Sequence, residues 1–234
     1  MGKPVQMREW GELPQPFQET KTVEFFGGDL QGITQRLDYL QDLGVTAIYL
    51  NPIFDAETNH FYDIRDFDKV ADNLGGNQGL VELREAMIAR DMKLMLDITP
   101  NHIGFLHHWF LEAQNNPASE TSEFFFRHPD TGEFEYWLGV PTLVKLNYTS
   151  QKLRNVMYRD VNSPIRKWLK PPYSIDGWRL DVANMTGNYW QHQDGGEVWQ
   201  EMRQAIKDEN SDAYMLGEYF QDSSHHLTGD GLDA

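Results

Sequence analysis

Two hydrophobic periods alternate along this chain, and the alternation restricts its fold more than any other feature. Four short apolar runs have the length of buried strands: Val45–Leu50 (VTAIYL), Lys93–Asp97 (KLMLD), Gly177–Asp181 (GWRLD) and Ala213–Gly217 (AYMLG). Segments with helical spacing lie before or between them. Ile33, Leu37 and Leu40 share a helix face, with Gly44 as a stop. Leu80, Leu83 and Met87 mark a second helix. Ser163 caps and Pro164 opens a third, with Ile165, Trp168 and Leu169 on one face and Pro171–Pro172 ending it. Val198, Met202 and Ile206 mark a fourth. Such alternation predicts an α/β fold with parallel strands.

Composition narrows the functional classes. Among 234 residues, 20 are Lys or Arg and 36 are Asp or Glu, a net charge of −16. That argues against nucleic acid or an anionic membrane as partner, because both need a basic face. With 40% hydrophobic and 13% aromatic residues, a packed core is expected. The absence of Cys excludes disulfides and thiolate chemistry. No apolar run is long enough to span a bilayer, and the opening MGKPVQMREWGELPQP has no signal-peptide stretch, so a cytoplasmic protein is expected. The first 28 residues are polar and Pro-containing and read as a loop or a trimmed end. Residues 103–148 are too long for an ordinary loop and predict an inserted subdomain or lid. The organisation expected is 1–102, the insert 103–148, then 149–234.

The apolar runs end in or lead into Asn51, Asp97, Asp181 and Glu218. Each alone is an ordinary turn or cap residue. Together they predict a site at the C-terminal strand ends. Arg179 and Asp181 sit two apart and so share a strand face, where the cation is expected to keep the carboxylate ionised as a nucleophile. Glu218, beside Tyr219 and Phe220, is placed to serve as general acid. Asn101 and His102 follow Asp97, and His60 and Tyr62 form a second imidazole and aromatic pair.

These segments resemble glycoside hydrolase family 13, the α-amylase family. DITPNH (97–102), GWRLDVAN (177–184) and LGE (216–218) are similar to three of its signatures, in order. LVKLN (143–147), GGDLQGI (27–33), NPIF (51–54) and HFYD (60–63) resemble the neopullulanase and cyclomaltodextrinase branch, while GEYF (217–220) leans towards maltodextrin glucosidase. The resemblance implies Asp181 as nucleophile, Glu218 as acid/base and Arg179 as the residue that orients Asp181. It implies His102, His60 and Tyr62 as sugar-binding residues, with Asp97 and Asn101 structural. The fold implied is a (β/α)₈ barrel of which about strands two to five are present, with the insert after the third strand. The activity implied is a retaining α-glucan hydrolase cleaving α-1,4 or α-1,6 bonds in maltodextrins, cyclodextrins or pullulan, which needs no cofactor. The resemblance also admits a homodimeric full-length protein.

Several features depart from the family pattern. No His-Asp pair supplies the third carboxylate, since His225-His226 is not followed by Asp, so this chain alone is expected to be inactive. Val144 stands where Pro is usual, and Met185 replaces the usual Glu. In some α-amylases the Asn matching Asn101 binds calcium, for which this sequence gives no independent support. Asp66, Asp68 and Asp72 do not form a calcium loop, because its last ligand position would be Asn77. Two alternatives stay open: a transglycosylase or isomerase of the same fold, and a non-catalytic α-glucan-binding barrel.

Overall fold

A computed structural model describes residues 9, 11–16, 22, 24–227 and 229–234. The loop expected for the first 28 residues falls in large part on residues outside this set, as does the opening segment that lacks a signal-peptide stretch. No helix among the described residues is long and apolar enough to cross a membrane.

Among the described residues ten strands form: β1 (Ala47–Leu50), β2 (Phe54–Ala56), β3 (Ile64–Val70), β4 (Lys93–Ile98), β5 (His102–Gly104), β6 (Leu143–Lys145), β7 (Gly177–Leu180), β8 (Asn188–Tyr189), β9 (His192–Gln193) and β10 (Tyr214–Gly217). The predicted apolar runs become β1, β4, β7 and β10, and these pair in parallel in that spatial order. The helices are α1 (Leu30–Thr34), α2 (Leu37–Asp42), α3 (Gly76–Ile88), α4 (His108–Asn115), α5 (Gln151–Arg154), α6 (Pro164–Lys167) and α7 (Gly195–Glu209). Consecutive parallel strands joined through helices are an arc of a (β/α)₈ barrel.

Alternation of side chains divides the sheet into two faces. Leu94, Leu96, Ile98, Trp178, Leu180 and Met215 are buried in the main core. Leu80, Leu83 and Met87 of α3 and Val198, Met202 and Ile206 of α7 belong to the same cluster. Trp168 and Trp178 flank Phe54 at centroid distances of 5.1 and 6.2 Å. Their indole N–H groups donate to the carbonyls of Phe67 and Ile165, each at 3.0 Å, so the large rings are buried without orphaned donors. The other face carries Tyr49, Asp97, Arg179 and the following Asp181.

The N-terminal strand ends are tied by charge. Arg84 of α3 is buried and donates to the carbonyls of Ser174 (2.8 Å) and Met92 (3.0 Å), and it pairs with Asp176 at 2.8 Å. Asp176 in turn accepts from Leu94 N at 2.8 Å, joining the starts of β4 and β7.

Three local expectations are corrected. The helix expected through Ile33, Leu37 and Leu40 is broken into α1 and α2 at Gln35–Arg36. Val45–Leu50 is not a buried strand: β1 spans only Ala47–Leu50, lies at the sheet edge and buries none of its four residues. The Ser163 hydroxyl does not cap α6, because it is buried without a hydrogen-bond partner, although Pro164 opens the helix.

Candidate active site

The carboxylates converge on one guanidinium because adjacent parallel strands place their C-terminal ends side by side. Asp97 is paired with Arg179 in the β4–β7 register, and Arg179 with Leu216 in the β7–β10 register. Asp181 follows β7 and Glu218 follows β10. Arg179 Nη1 lies 3.0 Å from Asp97 Oδ2 and 2.7 Å from Asp181 Oδ1, and its Nη2 lies 2.9 Å from Glu218 Oε1. One positive charge therefore serves three carboxylates.

That sharing reverses one electrostatic expectation. Burial, with the neighbouring charge of Asp97, raises the Asp181 carboxyl to about 7 despite Arg179. Burial likewise raises Asp97 to about 6 against its hydrogen bonds from Tyr49, Tyr62 and Arg179. Burial and the second carboxylate thus work against the ionisation of Asp181 that Arg179 favours.

Glu218 is also fixed by the backbone. Val182 adopts a left-handed conformation (φ 48°, ψ 44°) and donates its N–H to Glu218 Oε2 at 2.9 Å. A β-branched residue is disfavoured there, and such strain gathers at functional sites.

Asp97 is fully buried and accepts from the Tyr49 hydroxyl and, at 3.3 Å, from the Tyr62 hydroxyl. Tyr62 stacks against His60 with centroids 5.9 Å apart. Both His60 nitrogens are engaged within their own loop: Nδ1 accepts from Tyr62 N at 3.0 Å, and Nε2 meets Thr58 Oγ1 at 2.8 Å. His102 is buried, stacks on Trp137 (5.2 Å, 19°) and meets Asn101 Nδ2 through Nδ1 at 3.0 Å. Burial, with the Lys145 charge nearby, lowers its imidazole to about 3. His102 Nε2 and Asp97 Oδ1 are buried with no partner in the protein.

Residues 103–148 reach the same end of the sheet. Strand β6 pairs antiparallel with β5, which starts at His102. Lys145 donates to Asn101 Oδ1 and, at 2.7 Å, to the Met185 carbonyl just past β7. Trp137 Nε1 meets Met185 Sδ at 3.2 Å, and Tyr189 donates to Glu135 at 2.7 Å.

Asp181, Glu218, Arg179 and Asp97 are thus gathered directly, with Tyr62 beside Asp97 and His60 stacked on Tyr62. Asn101 and His102 follow on the same strand end, whereas Asn51 is exposed and outside the cluster. Sequence reasoning missed Tyr49, Trp137, Lys145 and the Val182 N–H. A lysine inside the apolar run Leu143–Leu146 was a usable signal, since buried lysines need internal partners. Tyr49 is on the Asp97 face by strand parity. Nothing local marks Trp137 or the Val182 backbone.

A partial parallel barrel with Asp, Arg and Glu converging at its strand C-termini has the form of a glycosidase site. The chain belongs to the α-amylase family, whose catalytic-domain model matches residues 13–229. It is 36% identical over 239 residues to a cyclomaltodextrinase of Geobacillus thermopakistaniensis, covering 99% of this chain and 37% of that protein. It is 36% identical over 231 residues to the intracellular maltogenic amylase of Bacillus subtilis (strain 168), covering 95% of this chain and 36% of that protein. The type III pullulan hydrolase of Thermococcus kodakarensis superposes with a TM-score of 0.84 at 32% identity, covering 99% of this chain and 39% of that structure. The chain thus spans well under half the length of each.

Proposed function

We propose that the protein carrying this chain is a retaining hydrolase of α-1,4 and α-1,6 glucosidic bonds in maltodextrins, cyclodextrins or pullulan. The observation that carries this reading is the bridging of Asp181 and Glu218 by the two terminal nitrogens of Arg179. The activities of the relatives support the substrate class, and the intracellular maltogenic amylase among them supports a cytoplasmic setting.

Glu218 protonates the glycosidic oxygen while Asp181 attacks the anomeric carbon, giving a covalent glycosyl ester and a free leaving-group sugar. Glu218 then takes a proton from water, which displaces Asp181 and releases the second sugar with its α configuration. Tyr62 and His60 line the sugar, and His102, buried beneath them, supports that wall through its stack on Trp137. Asp97 and Asn101 hold Arg179 and His102 in place, and residues 103–148 wall the cleft.

The test uses the full-length protein with cyclomaltodextrin and maltotriose, following product anomers by proton NMR. Initial release of the α-anomer, lost in both Asp181→Asn and Glu218→Gln, is expected. A β-anomer as first product, or turnover undiminished in either variant, would overturn the assignment.

A further inference from the structure

The family resemblance raises calcium at Asn101, and the donor set here does not fit it. Asn101 is fully buried and its Oδ1 already accepts from the Lys145 ammonium. The same ammonium donates to the Met185 carbonyl at 2.7 Å. Calcium takes six to eight oxygen ligands at about 2.3–2.6 Å, so it cannot share these two oxygens with a buried cation. Among the described residues, no group of three or more His, Cys, Asp or Glu side chains is placed to hold a metal.

We propose that Lys145 is a built-in cation, taking the position a metal would need at Asn101 and fixing through Asn101 the tautomer of His102. An ammonium has donors only, so the amide face that meets it must be the oxygen. The Asn101 nitrogen then points to His102 Nδ1, 3.0 Å away. An amide nitrogen also only donates, so Nδ1 accepts and the neutral imidazole carries its proton on Nε2. That nitrogen is buried, and the Tyr62 backbone beside the ring also favours a proton on the imidazole. Lys145 is therefore a positioning residue, two hydrogen bonds removed from the N–H that His102 offers. The support His102 gives to the sugar-lining wall rests on the function proposed above; the cation position and the tautomer do not.

The experiment uses the full-length protein at about pH 6, below the value of about 7 to which burial lowers the Lys145 amine. Thermal melting after EDTA treatment is compared with melting in millimolar calcium chloride, and histidine nitrogen shifts are read by NMR. The melting point is expected to be the same in both buffers, with His102 in the Nε2–H form. Lys145→Met is expected to lower the melting point by several degrees and leave His102 a mixture of tautomers, while Lys145→Arg keeps the Nε2–H signal. A calcium-dependent rise in melting point that Asn101→Leu abolishes would overturn the proposal. So would an Nδ1–H form in the unaltered protein, or an unchanged His102 signal in Lys145→Met. If Lys145→Met does not fold, the two arms on the unaltered protein still decide. Loss of the hydrolase reading would leave both readouts intact.

Discussion

Asp97 Oδ2 lies 3.0 Å from Arg179 Nη1, the same nitrogen that holds Asp181 at 2.7 Å. The two carboxylates therefore compete for one donor, and the buried charge of Asp97 helps to raise Asp181 to about 7. Asp97→Asn removes that charge while keeping the side-chain shape. The Asp181 carboxyl is then expected to titrate below its value in the unaltered protein, read by carbon-detected NMR of labelled aspartate. An equal or higher value would show that Asp97 does not govern it.

The same shifts set a pH dependence of stability. Asp97 and Asp181 are raised from 3.8 to about 6 and about 7, so the native state binds their protons more tightly than the unfolded chain. Their contribution is full below the unfolded value and is lost as pH rises through the folded values. Each amounts to roughly 3–4 kcal/mol at most. Asp181→Asn should flatten the melting-point profile between about pH 4 and pH 7. An unchanged slope in that window would contradict the raised value.

Tyr62 separates ring from hydroxyl. Its hydroxyl makes a long 3.3 Å bond to Asp97, whereas its ring lies against His60. Tyr62→Phe should cost under about 1 kcal/mol in kcat/KM, and Tyr62→Ala about 1–3 kcal/mol, in the full-length enzyme. Equal losses for the two variants would assign the role to the hydroxyl instead.

Gly104 lets the His102 strand pass close to the Tyr62 loop. A Cβ at Gly104 would lie 2.3 Å from the Asp63 carbonyl oxygen, a backbone atom that cannot swing away. Gly104→Ala should destabilise the fold by about 1–3 kcal/mol or more and push His102 away from Tyr62. Denaturant unfolding checks the first effect, and loss of kcat/KM beyond the fall in folded fraction checks the second.

Arg84 supplies the contrast from the opposite end of the sheet. Arg84→Met leaves two carbonyls without their donor and Asp176 with only Lys93 and the Leu94 N–H, at a cost of about 1–3 kcal/mol in stability. At a temperature where the variant stays folded, kcat should be unchanged. A lowered kcat there would mean that the two ends of the strands are coupled.

The sequence by itself determined the strands that became β4, β7 and β10, and the acidic residues at their ends. Both follow from local properties, hydrophobic period and chain position, that neighbouring residues carry. It also marked Asp181, Arg179 and Glu218, because i, i+2 parity on a strand is fixed by covalent geometry. Tertiary structure alone decided how the charge is shared. Asp97 lies 82 residues from Arg179 and Lys145 lies 44 from Asn101, so only strand register and the folding back of residues 103–148 bring them together. The exposure of β1 was likewise illegible, because an apolar run records what its strand can bury and not whether a neighbour covers it. Burial then set the signs: desolvation near other carboxylates outweighed the single guanidinium, and raised an aspartate that the local Arg-x-Asp pattern had predicted to be ionised.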